Sequence, residues 1–196
     1  FKFKTPISEE DVRKLKVNDI IYISGTIITA RDAAHKRVLE YQKEGKKLPI
    51  SLEGSVIFHC GPIAKGSKDG WKIVAAGPTT SSRMNLFEDK FIENFNIRII
   101  IGKGGMNKKI TDAMKKYGAV YAAFTGGAAI LGAKAIKRVK DIKWKDLGIP
   151  EAIWILEDEN FGPLTIAIDS HGKNLYEEIN KKVEKKKQKI YKKLGV

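Results

Sequence analysis

"NIRIIIGKGGMNKKITDAMKKYGAVYAAFTGG", residues 96–127, decides the fold. It opens with a short, continuously apolar run of the kind shown by strands buried on both faces. "MNKKITDAMKKYG" follows, with Ile110, Ala113, Met114 and Tyr117 on one helical face. "AVYAAFTGG" then reads as strand again. Strand, helix, strand in so short a span is a βαβ unit, which requires a parallel pair of strands.

Working outward from that unit, the earlier half is richer in strands. Ser8 stands three residues before Asp11, a capping-box start for a short helix through Leu15. "DIIYISGTIIT" reads as a strand in which Gly25 marks a bulge or a close approach. "RDAAHKRVLEYQKEG" reads as a helix ending near Gly45. "GSVIFHC" and "WKIVAAG" read as strands that each run into Gly-Pro, where proline has no donor for a ladder. "GPIAKGSKDG" between them reads as a turn-rich connection, and "NLFEDKFIENF" sets Phe87, Phe91 and Phe95 on one helical face.

Beyond residue 127, "AAILGAKAIKRV" reads as helix, and "AIWILE" and "LTIAID" as two further strands. A last helix begins near Asn174, and its stripe of Leu175, Ile179 and Val183 lapses between Glu184 and Lys189. These elements predict one α/β domain over residues 1–180, a mixed sheet with flanking helices, and a lysine-rich helical tail over 181–196.

The composition limits the function classes. Of 196 residues, 42% are apolar and 31% charged, ordinary values for a globular chain with one substantial core. The longest apolar runs are strand-length, far short of the ~20 residues that span a bilayer, and no leader pattern opens the chain. Cys60, the single cysteine, can form no internal disulfide and cannot alone hold an iron–sulfur cluster or a zinc-thiolate site. A reducing, cytoplasmic setting is the expectation, with no membrane.

The net charge of +14 raises the question of nucleic acid. Half of it lies in "KKVEKKKQKIYKKLGV", residues 181–196, which holds eight lysines and one glutamate. Such a run reads as a solvated helix face. There is no zinc-finger spacing, Walker loop or aromatic RNA-binding signature, so a nucleic-acid module stays a remote alternative.

Polar residues collect at four strand exits. In "TARDAAH", Arg31 stands at a strand-to-helix junction with His35 one helical turn later, a guanidinium and an imidazole suited to an anion. In "GPTTSSRM", Thr79 and Thr80 fall on a loop whose hydroxyls suit turns and helix caps, and Arg83 offers a planar fork for a carboxylate. In "IGKGGM", glycines flank the ammonium of Lys103, and "FTGGAA" repeats the strand-to-glycine exit at residues 125–127. Asp32 is the acidic group nearest these in sequence. The set suits a small dianion better than a nucleotide, because no acidic ribose contact is evident.

"GTIITARDAAHKR", "HCGPI", "GPTTSSRM", "IGKGGM", "GGAA" and "FGPLTIAIDSHG" occur in order between Thr5 and Asn174. Together they resemble the β subunit, or C-terminal domain, of class I iron–sulfur hydro-lyases: the fumarate hydratases and the related L(+)-tartrate dehydratases. The resemblance implies a swivelling β/β/α domain and reversible addition of water to a C4 dicarboxylate. Fumarate hydration is the first reading and tartrate dehydration the alternative. It also implies a [4Fe–4S] cluster on a separate α subunit, without which this chain is inactive. Carried over by motif, Arg31, Arg83 and Lys103 would clamp carboxylates, and Thr79 and Thr80 would face the substrate. Thr79 is one candidate to abstract a proton; His35 is the other, or else it orients Arg31.

Overall fold

A computed structural model of the chain describes residues 1–67 and 70–194. The first half runs β1 (Lys2–Lys4), α1 (Glu9–Arg13), β2 (Ile20–Thr29), α2 (Asp32–Lys43), β3 (Val56–Phe58), β4 (Ile63–Ser67) and β5 (Gly70–Ala75). A 3-10 turn (Ser81–Leu86) leads into α3 (Glu88–Phe95), β6 (Ile99–Gly102), α4 (Lys108–Tyr117) and β7 (Val120–Ala123). Then come α5 (Ala129–Ala135), β8 (Ile136–Lys143), β9 (Ile153–Ile168) and α6 (Leu175–Leu194). Mixed α/β architecture in one small domain is what the sequence predicts.

The main sheet has the order β1-β2-β3-β6-β7-β9-β8, and β2 also pairs with β9. That extra pairing closes β2, β3, β6, β7 and β9 into a ring. Its first four strands are mutually parallel, as the βαβ unit requires. β9 runs antiparallel to both β2 and β7 and seals the gap between them.

Closure explains the uninterrupted apolar runs. Successive side chains of a strand point to opposite faces. Ile27, Val56, Phe58, Ile99, Ile101, Val120 and Ala122 pack in one buried cluster with Trp154, Leu156 and Phe161. Their neighbours Ile28, Ile57, Ile100 and Tyr121 join a second cluster with Val38, Phe91, Ile110 and Met114 from the helices. With an apolar layer on each side, neither strand face is left for polar residues.

Local signals set the element ends. Ser8 and Asp11 form the reciprocal capping box that starts α1. Gly25 adopts φ +105°, and a Cβ there would collide with the Thr5 hydroxyl; the β2–β9 register shifts beside it. Both features anticipated for that glycine are present. Among the described residues no helix is long and apolar enough to cross a membrane.

Four elements differ from expectation. "GPIAKGSKDG" is not all turn: Ile63–Ser67 is β4, which forms a separate hairpin with β5, while residues 68 and 69 lie outside the described residues. The helix read over "AAILGAKAIKRV" stops at Ala135 because Ile136 turns extended and pairs with β9, so that edge pairing outweighs the alanine-rich helical pattern. "AIWILE" and "LTIAID" belong to one strand, the sixteen-residue β9, whose left-handed Asn160 and Gly162 stand where the notional break would fall. Phe87 precedes α3 instead of joining its face, although Phe91 is fully buried. The tail continues α6 through Leu194, and residues 195 and 196 lie outside the described residues.

Asp158 of β9 is the anomaly of the interior. It is 4% exposed, and neither carboxylate oxygen has a hydrogen-bond partner. Burial, helped by the charge of Glu157, pushes its acid up from 3.8 to about 7. The unfolded chain releases this proton near 3.8 and the folded chain near 7, so folding loses stability as pH climbs between those values. Asp158→Asn is therefore expected to raise the urea midpoint at pH 8, with the gain shrinking toward zero at pH 4; a gain independent of pH would show that charge burial is not the cause.

Candidate active site

The parallel strands β2, β3, β6 and β7 all deliver their C-terminal ends to one rim of the ring. Arg31 follows β2 and caps α2. His59 and Cys60 follow β3, Lys103 follows β6, and residues 125–127 follow β7. Crevices at such strand ends are the usual sites of α/β folds.

The segment after β5 is stitched into the same rim. Cys60 bridges Pro78, the Thr79 amide donates to the His59 carbonyl at 2.6 Å, and Thr80 bridges Lys103. The Lys103 amide donates to the Thr79 carbonyl at 3.4 Å, and the Ser81 amide to the Lys103 carbonyl at 2.9 Å. Residues 79–81 thus lie between the exits of β3 and β6. Thr79 is half-buried, and Thr80, Arg83 and Lys103 are exposed.

Two of the cations already hold carboxylates of the chain itself. Arg83 grips Asp32 with two parallel contacts, Nε to Oδ1 at 3.1 Å and Nη2 to Oδ2 at 2.9 Å. Since Asp32 follows Arg31, this pair ties the Arg31 junction to the threonine loop. Arg31 Nη2 lies 3.2 Å from Oε1 of Glu151, whose Oε2 accepts from the Ala33 amide at 3.0 Å. The Arg31 Nε is buried without a hydrogen-bond partner. Among the described residues no carboxylate pairs with Lys103, and Gly126 leaves its side chain room. Arg83 is 51% exposed in its ion pair, an arrangement with little net worth in water and readily exchanged for another carboxylate. The structure therefore brings Arg31, Thr79, Thr80, Arg83 and Lys103 into one connected group.

His35 is placed differently. It is wholly buried beneath the rim, with Nδ1 2.8 Å from the Arg31 carbonyl and Nε2 3.1 Å from Glu88 Oε2. Neither ring nitrogen faces the rim, so of the two roles expected for His35 its placement goes with orienting Arg31, whose carbonyl it contacts, and not with direct contact to an anion. Nε2 of the equally buried His59 lies 3.0 Å from the same Glu88 oxygen. Its Nδ1 is 2.9 Å from Ser81 Oγ, which also accepts from the Tyr121 hydroxyl at 3.0 Å. Burial favours the neutral form of His35, but the Glu88 carboxylate and the Arg31 carbonyl outweigh it and raise the imidazole. At His59 burial prevails and the imidazole is lowered. Burial opposes ionisation of Glu88 as well, yet the two imidazoles hold it down to about 2.

Donor atoms of His35, His59 and Glu88 lie within 4.8 Å of one another, held by the His59–Glu88 hydrogen bond and the His35–Glu88 ion-pair contact. An iron–sulfur cluster does not fit the chain's own donors. Cys60 is buried, and burial pushes its thiol up to about 12 despite the charge of Arg31, whereas cluster ligands are thiolates.

Sequence reasoning missed Glu151, Glu88, His59 and Ser81. Glu88 and Glu151 look like surface acids in a charged chain, and His59 sits unremarked in "HCGPI"; the faces of β3 and α3 that bring His59 and Glu88 together emerge only once the ring closes. Gly102 has a readable purpose in the same place. A Cβ there would overlap Ser81 Oγ and stand 3.1 Å from the Tyr121 hydroxyl oxygen. Gly102→Ala is expected to cost about 1–3 kcal/mol, the usual toll of overpacking, in a denaturant titration. Gly66→Ala, where nothing lies within 4 Å, should cost almost nothing. Equal costs would show that the approach of Ser81 to Gly102 is not constrained.

Comparison with known proteins places the chain. The family described as Fumarase C-terminus matches residues 1–179. A Methanocaldococcus jannaschii protein named "Putative L(+)-tartrate dehydratase subunit beta" is 51% identical over 92% of this chain and 93% of its own length. The L(+)-tartrate dehydratase subunit beta of Escherichia coli is 41% identical over 91% of this chain and 87% of its own. A Geobacillus stearothermophilus protein named "Putative fumarate hydratase class I" is also 41% identical over 91% of this chain, which spans 34% of that longer protein. The sequence motifs, the ringed sheet with its cationic rim and these similarities agree: the chain belongs to the Fumarase C-terminus family, alongside tartrate dehydratase β subunits and class I fumarate hydratases.

Proposed function

We propose that this chain is the β subunit of a hydro-lyase that reversibly hydrates fumarate to L-malate, together with an α subunit that carries a [4Fe–4S] cluster. The observation behind the reading is the gathering of Arg31, Arg83, Lys103, Thr79 and Thr80 on one rim. Five charged or hydroxyl side chains there match a small molecule with a carboxylate at each end.

In this reading the guanidinium forks and the ammonium take over substrate carboxylates, and Asp32 and Glu151 give up their partners. Proton removal beside a carboxylate spreads charge onto that carboxylate as an enediolate. Cations fixed in advance stabilise such charge without reorganising. Thr79 is the group proposed to take the proton. Its backbone is held on both sides, by the His59 carbonyl and the Lys103 amide. A threonine hydroxyl is a weak base at neutral pH, so the role needs the neighbouring positive charge of Lys103 to favour its deprotonated form.

L(+)-tartrate is the second reading, and the names of the relatives aligned over nearly their full length favour it. Anaerobic assay of the chain assembled with its cluster subunit separates the two: turnover of fumarate and malate without tartrate supports the first, and tartrate alone supports the second. Arg83→Ala should assemble normally and lose on the order of 10²–10³ in kcat/KM, by analogy with the loss of an oxyanion donor. An assembled variant of undiminished turnover would refute the clamp.

A further inference from the structure

We propose that His35, Glu88 and His59 form a buried positioning bridge that fixes the distance between the Arg31 junction and the 79–83 loop, and that its working state holds His35 doubly protonated against an ionised Glu88. The inference deepens the hydro-lyase reading and rests on it for the site being positioned.

The contacts, taken with an ionised Glu88, assign the protons. The Arg31 carbonyl can only accept, so His35 Nδ1 carries a hydrogen. Glu88 Oε2 is hydrogen-bonded to His59 Nε2 at 3.0 Å and lies 3.1 Å from His35 Nε2 as an ion-pair contact outside hydrogen-bond geometry; beside an ionised carboxylate a bare nitrogen lone pair would be repelled, so each of those nitrogens carries a hydrogen as well. His35 is then an imidazolium. His59 has its second nitrogen, Nδ1, left as acceptor for the Ser81 hydroxyl, while Ser81 Oγ accepts from Tyr121. The array converges on Glu88: Tyr121, Ser81 and His59 donate in turn toward its carboxylate, while His35 faces that carboxylate from the other side and donates to the Arg31 carbonyl, with no net charge over the whole. The raised imidazole of His35 and the lowered one of His59 agree with this assignment.

Each link is anchored next to a residue of the rim. His35 binds the Arg31 carbonyl twice, through its amide at 2.9 Å and its ring. The His59 carbonyl holds the Thr79 amide, and its ring holds Ser81, two residues before Arg83. Glu88 opens α3, where the helix dipole favours a carboxylate. His35, His59, Ser81, Glu88 and Tyr121 are all fully buried, so none of them reaches a ligand on the rim. Buried ion pairs rarely out-stabilise a well-packed apolar substitute, which leaves geometry as the gain. The ionisable groups acting on His35 are Glu88 of α3, His59 after β3 and Asp32 of α2; the Phe87 and Phe91 rings complete its surroundings.

Ring-nitrogen NMR on the full chain, with kinetics of the assembled enzyme, tests the bridge. His35 is expected to stay doubly protonated at pH 8 while His59 is neutral, and Glu88→Gln should leave His35 singly protonated there. In the assembled enzyme, Glu88→Gln should lower kcat about 10²-fold, as misplacement by an ångström does, and shift the alkaline limb of the pH profile downward. Glu88→Asp, which keeps the charge, should restore that limb. A singly protonated His35 in the unaltered chain at pH 7, or a Glu88→Gln enzyme with unchanged kcat and limb, would overturn the proposal. If Glu88→Gln does not fold, Ser81→Ala keeps the ion pair; it should lower kcat with His35 still doubly protonated, and an unchanged kcat would overturn the bridge. Absence of turnover on every C4 dicarboxylate would refute the hydro-lyase reading, and the ring spectra would then decide the bridge alone.

Discussion

Because β2, β3, β6 and β7 run parallel, the loops that leave them can emerge only at one rim, whatever their lengths or compositions. The meeting of Arg31 and Lys103 at the candidate site follows from that constraint. Arg31, Lys103 and the glycines after Thr125 are far apart in the chain and adjacent in space for no other reason. The threonine loop arrives from the separate β4–β5 hairpin, and backbone bonds to the exits of β3 and β6 hold it in place. The site is thus a property of strand direction first and of side chains second.

The electrostatics of the rim and of the layer beneath it are of different kinds. On the rim, ion pairs such as Arg83 with Asp32 are open to water, where partners can change at small cost. Beneath it, Glu88 and the two imidazoles are sealed from solvent, and an uncompensated charge there would be expensive. The outer layer is thus exchangeable and the inner one fixed.

Much of this was legible in the sequence. The apolar run at Ile99–Gly102, the helix stripe after it and the polar exits at Arg31, Thr79 and Lys103 are local patterns, and local patterns are what a sequence displays. Closure by β9 was not, because nothing in "AIWILE" or "LTIAID" announces pairing with β2 on one edge and with β7 and β8 on the other. Glu88 was hidden for the same reason. Its partners sit fifty-three and twenty-nine residues upstream, and only tertiary packing makes it an interior group. His35 was visible as a functional candidate, but its depth depended on α3 covering it.

The sealing strand also governs how the chain must come into being. Ile20 pairs with Thr165 and Ile28 with Ile155, so contacts at the heart of the molecule join segments made early with segments made late. The β2 edge that faces β9 has its partner only once residues 155–165 have been made. Such long-range pairing slows folding and prolongs the interval in which bare edges can find neighbouring chains.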